Sequence, residues 1–355
     1  VDFETATRIE SRYFTQLATG KVAKNMIKAF WTQLNSINAG GSRPKIAEKG
    51  SFKKVGVLGA GMMGSAIAYC VVTNGMECVL KDVSEEAVAK GKAYTENLLK
   101  KRVSKGKMTQ EKAEEVLSKI NATTKADDLI GCDLIIEAVI EDRNIKAAVT
   151  KEAEDRIADT AIFASNTSTL PITGLAEKSK RPKNFIGLHF FSPADKMPLV
   201  EIIVGKETSD ETLAKAFDFV KAIKKTPIVV NDSRGFYTSR VFATYVLEGI
   251  ALLAEGNNAR AIEMAGLKAG MPVGPLALTD EVSLTLIAHI RKQTVADLQA
   301  EGKTPPSHGA YPVVDKMVGE LKRPGKAAGA GFYEYPQGGK KHLWEGLKTN
   351  FPESF

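Results

Sequence analysis

The stretch KKVGVLGAGMMG, Lys53 to Gly64, decides the fold. It opens with a short β-branched run, Val55 to Leu58, passes through a glycine turn and enters the small-residue helix SAIAYCVVTNG. Gly59 to Gly64 fit G-x-G-x-x-G, a weak signal alone but a strong one between a strand and a helix. Each glycine has a separate task. Gly59 permits the tight turn, Gly61 presents no Cβ to an approaching pyrophosphate, and Gly64 lets the helix lie close on the strand. Met62 and Met63 complete the loop as cofactor-binding candidates, and the helix that it opens points its first N–H groups at the anion.

A second strand, ECVLKD, follows and ends at Asp82, about twenty residues beyond the first glycine. An acid there accepts hydrogen bonds from both hydroxyls of an adenosine ribose and repels a 2′-phosphate, so NAD is expected rather than NADP.

The same alternation continues outward. Helices are expected from about Ser84 to Lys101 and after Thr109, which stands as an N-cap. DLIIEAV, AIFASNTS, FIGLHFF, VEIIVG and TPIVVN read as further strands, with helices IKAAVTKEAEDRIA, PITGLAEKS and DETLAKAFDFVKAI among them. This pattern predicts an α/β fold, a Rossmann-type doubly wound and mainly parallel sheet over residues 51–231. Beyond Asn231 the strands stop, and an all-helical C-terminal domain is expected over 232–334, followed by an irregular tail, 335–355. Residues 1–50 read as a helical arm and a linker, NAGGSRPKIAEKGS, in which Gly, Pro and charge break every periodicity.

Composition narrows the function classes. With 355 residues, 43% hydrophobic and 26% charged, the chain has the make-up of a soluble protein of two domains. No apolar run approaches the ~20 residues of a membrane span, and the polar start VDFETATRIE is not that of a signal peptide. The three cysteines, Cys70, Cys78 and Cys132, lack metal-site spacing and read as buried core thiols in a reducing, cytoplasmic compartment. The net charge of +7 is scattered, without the aromatic-interleaved basic patches of a nucleic-acid binder.

Ligands of such a sheet lie beyond the C-terminal ends of its strands. Polar residues gather at those positions: Glu141 after EAVI, Ser165, Asn166 and Ser168 after AIFA, and His189 inside GLHFF. A histidine suits removal of a hydroxyl proton while hydride leaves the carbinol carbon, because its pKa lies near neutrality. Its cation then needs a countercharge, and Glu201 supplies one if the chain doubles back through the Ser-Pro and Met-Pro breaks between them. Read alone, His189 has the pattern of a satisfied core histidine and Glu201 that of a solvated strand-end acid. His289, His308 and His342 are expected to be structural or exposed.

SNTSTLPIT, GLHFFSPADKMPLVEII, GFYTSRV, GPLALTDEV and GAGFYEY, in this order over roughly residues 51–335, resemble the 3-hydroxyacyl-CoA dehydrogenase family. In particular they resemble the dehydrogenase part of the multifunctional α-subunit of fatty-acid β-oxidation. The arm ESRYFTQLATGKVAKNMI is similar to the connection that follows the hydratase domain in such subunits. The resemblance implies a longer parent protein, association of the full-length form with thiolase, and a homodimer through the helical domain. It implies NAD-dependent oxidation of L-3-hydroxyacyl-CoA, with His189 as base and Glu201 as its partner. Ser168 matches the serine at the substrate oxygen, and Glu141, Lys146 and Ser192 match positions near the cofactor. Ser192 stands where Asn is common. Ser239 stands where the family usually has Asn in G-F-x-x-N-R, holding the substrate carbonyl. Lys100 and Lys101, in the basic segment LLKKRVSKGK, are candidates for the phosphates of coenzyme A. The serine at 239 also admits a second reading, a catalytically weak NAD- or acyl-CoA-binding module serving assembly. A third is a dehydrogenase of a free hydroxy acid or amine.

Overall fold

A computed structural model describes residues 1–45, 48–300 and 302–353. The chain divides into two compact units at Tyr237/Thr238.

The first unit begins with the arm, helices α1 (Phe3–Thr19), α2 (Lys21–Met26) and α3 (Leu34–Asn38), the last two joined by a π-helical turn at Ile27–Gln33. Asp2 caps α1 by accepting the Thr5 N–H at 2.8 Å. None of the arm's helical residues is buried. The linker is tied down by Arg43, whose guanidinium makes two 2.8 Å hydrogen bonds to the carboxylate of Asp218.

Then come β1 (Lys54–Leu58), α4 (Met62–Thr73), β2 (Glu77–Lys81), α5 (Glu85–Ser104), α6 (Gln110–Ser118), β3 (Ile120–Thr123), β4 (Leu134–Glu137), α7 (Arg143–Glu154), β5 (Ile162–Ser165), α8 (Ile172–Ala176), β6 (Phe185–Phe190), β7 (Leu199–Val204), α9 (Asp210–Ala222) and β8 (Thr226–Asn231). Thr109 caps α6 as expected. The eight strands form one sheet in the order β3-β2-β1-β4-β5-β6-β7-β8. β1 to β6 are parallel, β7 runs antiparallel to β6, and β8 is parallel to β7. The reversal follows from connection length. Residues 191–198 are too few for the crossover that a parallel pair needs, whereas α9 provides one between β7 and β8. The edge strand β3 has no counterpart in the sequence reading, because INAT lacks an apolar run.

Successive residues of a strand face opposite sides of the sheet, and here the two sides bury separate cores. Ile136, Ala164, Leu188 and Val200 belong to the core shared with α4 and α9. Ile135, Phe163, Phe185 and Ile203 belong to the core shared with α7 and α8. By the same parity Glu137, Ser165, His189 and Glu201 all lie on the second side. Cys70, Cys78 and Cys132 are free and buried.

The second unit holds α10 (Thr238–Ala254), α11 (Ala259–Lys268), α12 (Pro275–Val282), α13 (Leu284–Ala300) and α14 (Ala310–Asp315) around a core that includes Ile250, Leu276, Val314 and Phe332. Buried Asp280 accepts the N–H groups of Phe332 and Tyr333, at 2.8 and 2.9 Å, and the hydroxyl of Tyr335 at 3.0 Å. A Cβ at Gly331 would lie 2.0 Å from the Asp280 carboxylate, so GAGFYEY needs its glycine for this lock. The tail expected to be irregular is in part regular. β9 (Tyr333–Glu334) and β10 (His342–Leu343) pair antiparallel, and α15 (Leu347–Asn350) follows. Its anchors are the buried Leu347 and the ring of Trp344, which packs 4.2 Å beneath the Arg323 guanidinium.

Candidate active site

The order of the sheet reverses at β1, which lies between β2 and β4, and this places a crevice at the C-terminal ends of β1 and β4. The glycine loop sits there. Gly59 has φ +96°, and a Cβ on it would come within 2.7 Å of the Ala138 carbonyl. A Cβ on Gly64 would lie 1.8 Å from the Gly59 carbonyl. A Cβ on Gly61 would meet no protein atom within 4 Å. Gly61 is the N-cap of α4, and no side chain caps it. An uncapped helix end with open space before it suits a pyrophosphate, so the residues present fit a dinucleotide. Asp82 follows β2 and is half-buried. Its carboxylate accepts the N–H groups of Ala60 and Val83, each at 2.6 Å, which ties the end of β2 to the loop.

His189, near the end of β6, stands directly opposite Glu201 on β7. His189 Nδ1 and Glu201 Oε2 are 2.7 Å apart. Glu201 is fully buried and His189 is 7% exposed. A buried carboxylate at this distance accepts a hydrogen bond from Nδ1–H, which leaves Nε2 as the nitrogen with the free lone pair. Glu201 Oε1 also accepts the Tyr237 N–H at 3.1 Å. The preceding Gly235 and Phe236 both have positive φ, +73° and +46°, and the Phe236 ring centroid lies 6.0 Å from that of His189. The strained turn that opens GFYTSR is thus built onto the histidine–carboxylate pair.

A second buried cluster gathers Glu141, Lys146, Ser165 and the Ser168 turn, all singled out in the sequence, with Glu137, which was not. Glu137, 1% exposed at the end of β4, accepts Lys146 Nζ at 2.8 Å, the Ser165 hydroxyl at 2.7 Å and the Val139 N–H at 2.8 Å. Lys146 also reaches Glu141 at 3.0 Å. Glu141 Oε1 accepts the Thr167 hydroxyl at 2.5 Å and the N–H groups of Ser168 and Thr169 at 3.0 and 3.2 Å. Burial alone would raise the Glu141 carboxyl, but Lys146, Thr167 and Ser168 outweigh it and hold the pKa below its ordinary 4.5. Lys146 is only 2% exposed, so any bearing it has on a cofactor runs through Glu141 and the Ser168 turn. Ser168 itself is exposed. Asn166 Oδ1 accepts the Phe190 N–H at 2.8 Å and joins this turn to the strand of His189. An acid inside LIIEAV was the available signal for Glu137, since an unpaired carboxylate is seldom buried in an apolar strand.

Of the remaining candidates, Ser192 Oγ lies 3.7 Å from Met62 Sδ of the glycine loop. Met63 packs against the first core. Lys100 and Lys101 are exposed on the last turns of α5, where Lys100 pairs with Glu96 at 2.6 Å. Ser239 opens α10 in the second unit. His289 and His342 are exposed, and His308 accepts the Ala310 N–H.

The fold and the histidine–carboxylate pair define a dinucleotide-binding dehydrogenase class, and comparison with known proteins narrows it. Residues 54–233 match the 3-hydroxyacyl-CoA dehydrogenase NAD-binding domain and residues 235–335 match the C-terminal domain of the same enzymes. The chain belongs to the 3-hydroxyacyl-CoA dehydrogenase family. It is 37% identical over 334 residues to the fatty acid oxidation complex subunit alpha of a Shewanella strain, covering 94% of this chain and 46% of that subunit. The chain therefore spans about half the length of the curated relatives it matches. It is 33% identical, with a TM-score of 0.74, to the (S)-3-hydroxybutyryl-CoA dehydrogenase of Ralstonia eutropha, covering 81% of this chain and all of that one. The dehydrogenase part of multifunctional enzyme 1 from C. elegans is 26% identical with a TM-score of 0.58, over 87% of this chain and 69% of that one. No helix of the described residues is long and apolar enough to cross a membrane.

Proposed function

We propose that the chain oxidises L-3-hydroxyacyl-CoA to 3-ketoacyl-CoA with NAD, and reduces the ketone in reverse. The observation that carries this is the His189–Glu201 pair at 2.7 Å, near the C-terminal end of β6, the same end of the parallel strands at which the glycine loop leaves β1. NAD, when bound, accepts the hydride from C3. The glycine loop and the N-terminus of α4 hold its pyrophosphate, and Asp82 holds the adenosine ribose. His189 Nε2 removes the 3-hydroxyl proton. Glu201 keeps Nδ1 protonated and balances the imidazolium that forms, at a site where an unpaired cation would be costly. Ser168 orients the substrate oxygen, with its turn held by Glu141, and Ser239 donates to the substrate carbonyl. Lys100 and Lys101 meet the phosphates of coenzyme A.

The partners and compartment belong to the same reading. It extends to a cytoplasmic protein, a homodimer through the helical unit and, for the longer parent, association with thiolase; relatives named as subunits of a fatty acid oxidation complex support an assembly in general terms. The discriminating experiment is NADH oxidation with acetoacetyl-CoA against free acetoacetate. Turnover that depends on the CoA moiety supports the reading. Equal rates favour a dehydrogenase of free acids, and no turnover favours the binding module that Ser239 in place of Asn brought into view.

A further inference from the structure

Residues 191–198 join β6 to β7, so the connection stands between His189 and Glu201 and carries Ser192. It has no helix or strand of its own, and what fixes it lies elsewhere in the fold. Lys225, just before β8, is 7% exposed. Its Nζ donates to the carbonyls of Ala194 and Met197, each at 2.6 Å. Asp195 Oδ1 accepts the Tyr94 hydroxyl from α5 at 2.7 Å. The Cys70 thiol on α4 donates to the Ala194 carbonyl at 3.4 Å. Burial pushes that thiol up to about 11, so it is a neutral donor at ordinary pH. Ala194 is fully buried beneath these contacts.

Burying a lysine for two main-chain carbonyls is a costly way to hold an ordinary loop. The loop here is not ordinary, because its first turn sets Ser192 against Met62 of the glycine loop. We infer that Lys225, assisted by Tyr94, is a positioning residue for the coenzyme: it latches the β6–β7 connection so that Ser192 is presented at the dinucleotide crevice. The His189–Glu201 pair does not depend on the latch, since it is held by the strand pairing and its own hydrogen bond. The inference rests on the NAD-dependent reading above and adds a residue that touches neither coenzyme nor substrate.

The test is a double-mutant cycle on NADH binding with the whole chain, using Lys225→Met, Ser192→Ala and the pair, with thermal unfolding as a check on folding. Ser192→Ala alone should weaken NADH binding about three- to tenfold, the worth of one hydrogen bond. In the Lys225→Met background the same change should cost less than about twofold, because the hydroxyl is already misplaced. Turnover at saturating NADH should fall less than affinity in both single variants, a split that general loss of stability does not produce. Losses that multiply, a folded Lys225→Met variant with wild-type affinity, or a silent Ser192→Ala would each overturn the latch. If Lys225→Met does not fold, the same cycle with Tyr94→Phe decides: sub-additive loss supports the latch, and additive or absent loss overturns it. A wild-type chain that binds no NADH overturns the coenzyme reading and the latch with it, an outcome distinct from the others.

Discussion

His189 and Glu201 face each other across the antiparallel pair of the large sheet, with Nδ1 and Oε2 2.7 Å apart and the carboxylate fully buried. The reversal of β7 is what makes this pairing direct. The two are twelve positions apart in the chain, yet they are register partners, with side chains on one side of the sheet.

If Glu201 balances the imidazolium, Glu201→Gln removes the charge while keeping a group of similar shape. Turnover should fall about 10- to 100-fold, the worth of a charged hydrogen bond, with NADH affinity within about threefold of wild type. Steady-state kinetics together with NADH titration check this. Comparable losses in both quantities would count against the assigned role.

Two glycines of one motif should respond differently to the same substitution. Gly64→Ala places a Cβ 1.8 Å from the Gly59 carbonyl and should destabilise the first unit by about 1–3 kcal/mol as well as weaken NADH binding. Gly61→Ala meets no protein atom and should cost less than about 1 kcal/mol, yet should still weaken NADH binding. Denaturant unfolding and NADH titration of both variants separate a packing requirement from a ligand requirement.

The clamp on the Ser168 turn is pH-dependent in a defined direction. The Glu141 pKa is held below its ordinary 4.5 in the folded chain, so its contribution to stability is complete above that value and is lost as pH falls through the lowered one. Glu141→Gln should be less stable than wild type at neutral pH, and the gap should narrow below pH 4.5. Chemical unfolding at pH 7, 5, 4 and 3 measures the gap, and one that stays constant would refute the assignment.

Ser239 gives a prediction of the opposite sign. An amide reaches further than a hydroxyl, so Ser239→Asn should raise kcat/KM for acetoacetyl-CoA by several-fold, up to the worth of about one hydrogen bond. A rate unchanged or lowered would show that position 239 does not hold the substrate carbonyl.

The features legible in the sequence were those that one residue type makes necessary. A turn with positive φ and a helix packed at contact distance both demand glycine, so GAGMMG announced the first half of the fold. Glu201 was legible only together with the Ser-Pro and Met-Pro breaks that let the chain turn back. Other parts leave no such trace. The Tyr237 N–H that meets Glu201 is a backbone group, and any residue but proline could supply it. Glu137 was not singled out, because Lys146 and Ser165 close on it from α7 and β5 and leave no mark in its own segment. The tail after Phe332 lacks periodicity because its order comes from a two-residue ladder and a few anchors, among them Trp344 under Arg323.

The most direct test of the central claim is the rate of acetoacetyl-CoA-dependent NADH oxidation by wild type and by His189→Ala. Removal of the base should lower the rate about 10²- to 10⁴-fold while NADH binding is retained. A His189→Ala variant that turns over at the wild-type rate, or a wild type that binds NADH and does not turn over, would contradict the account.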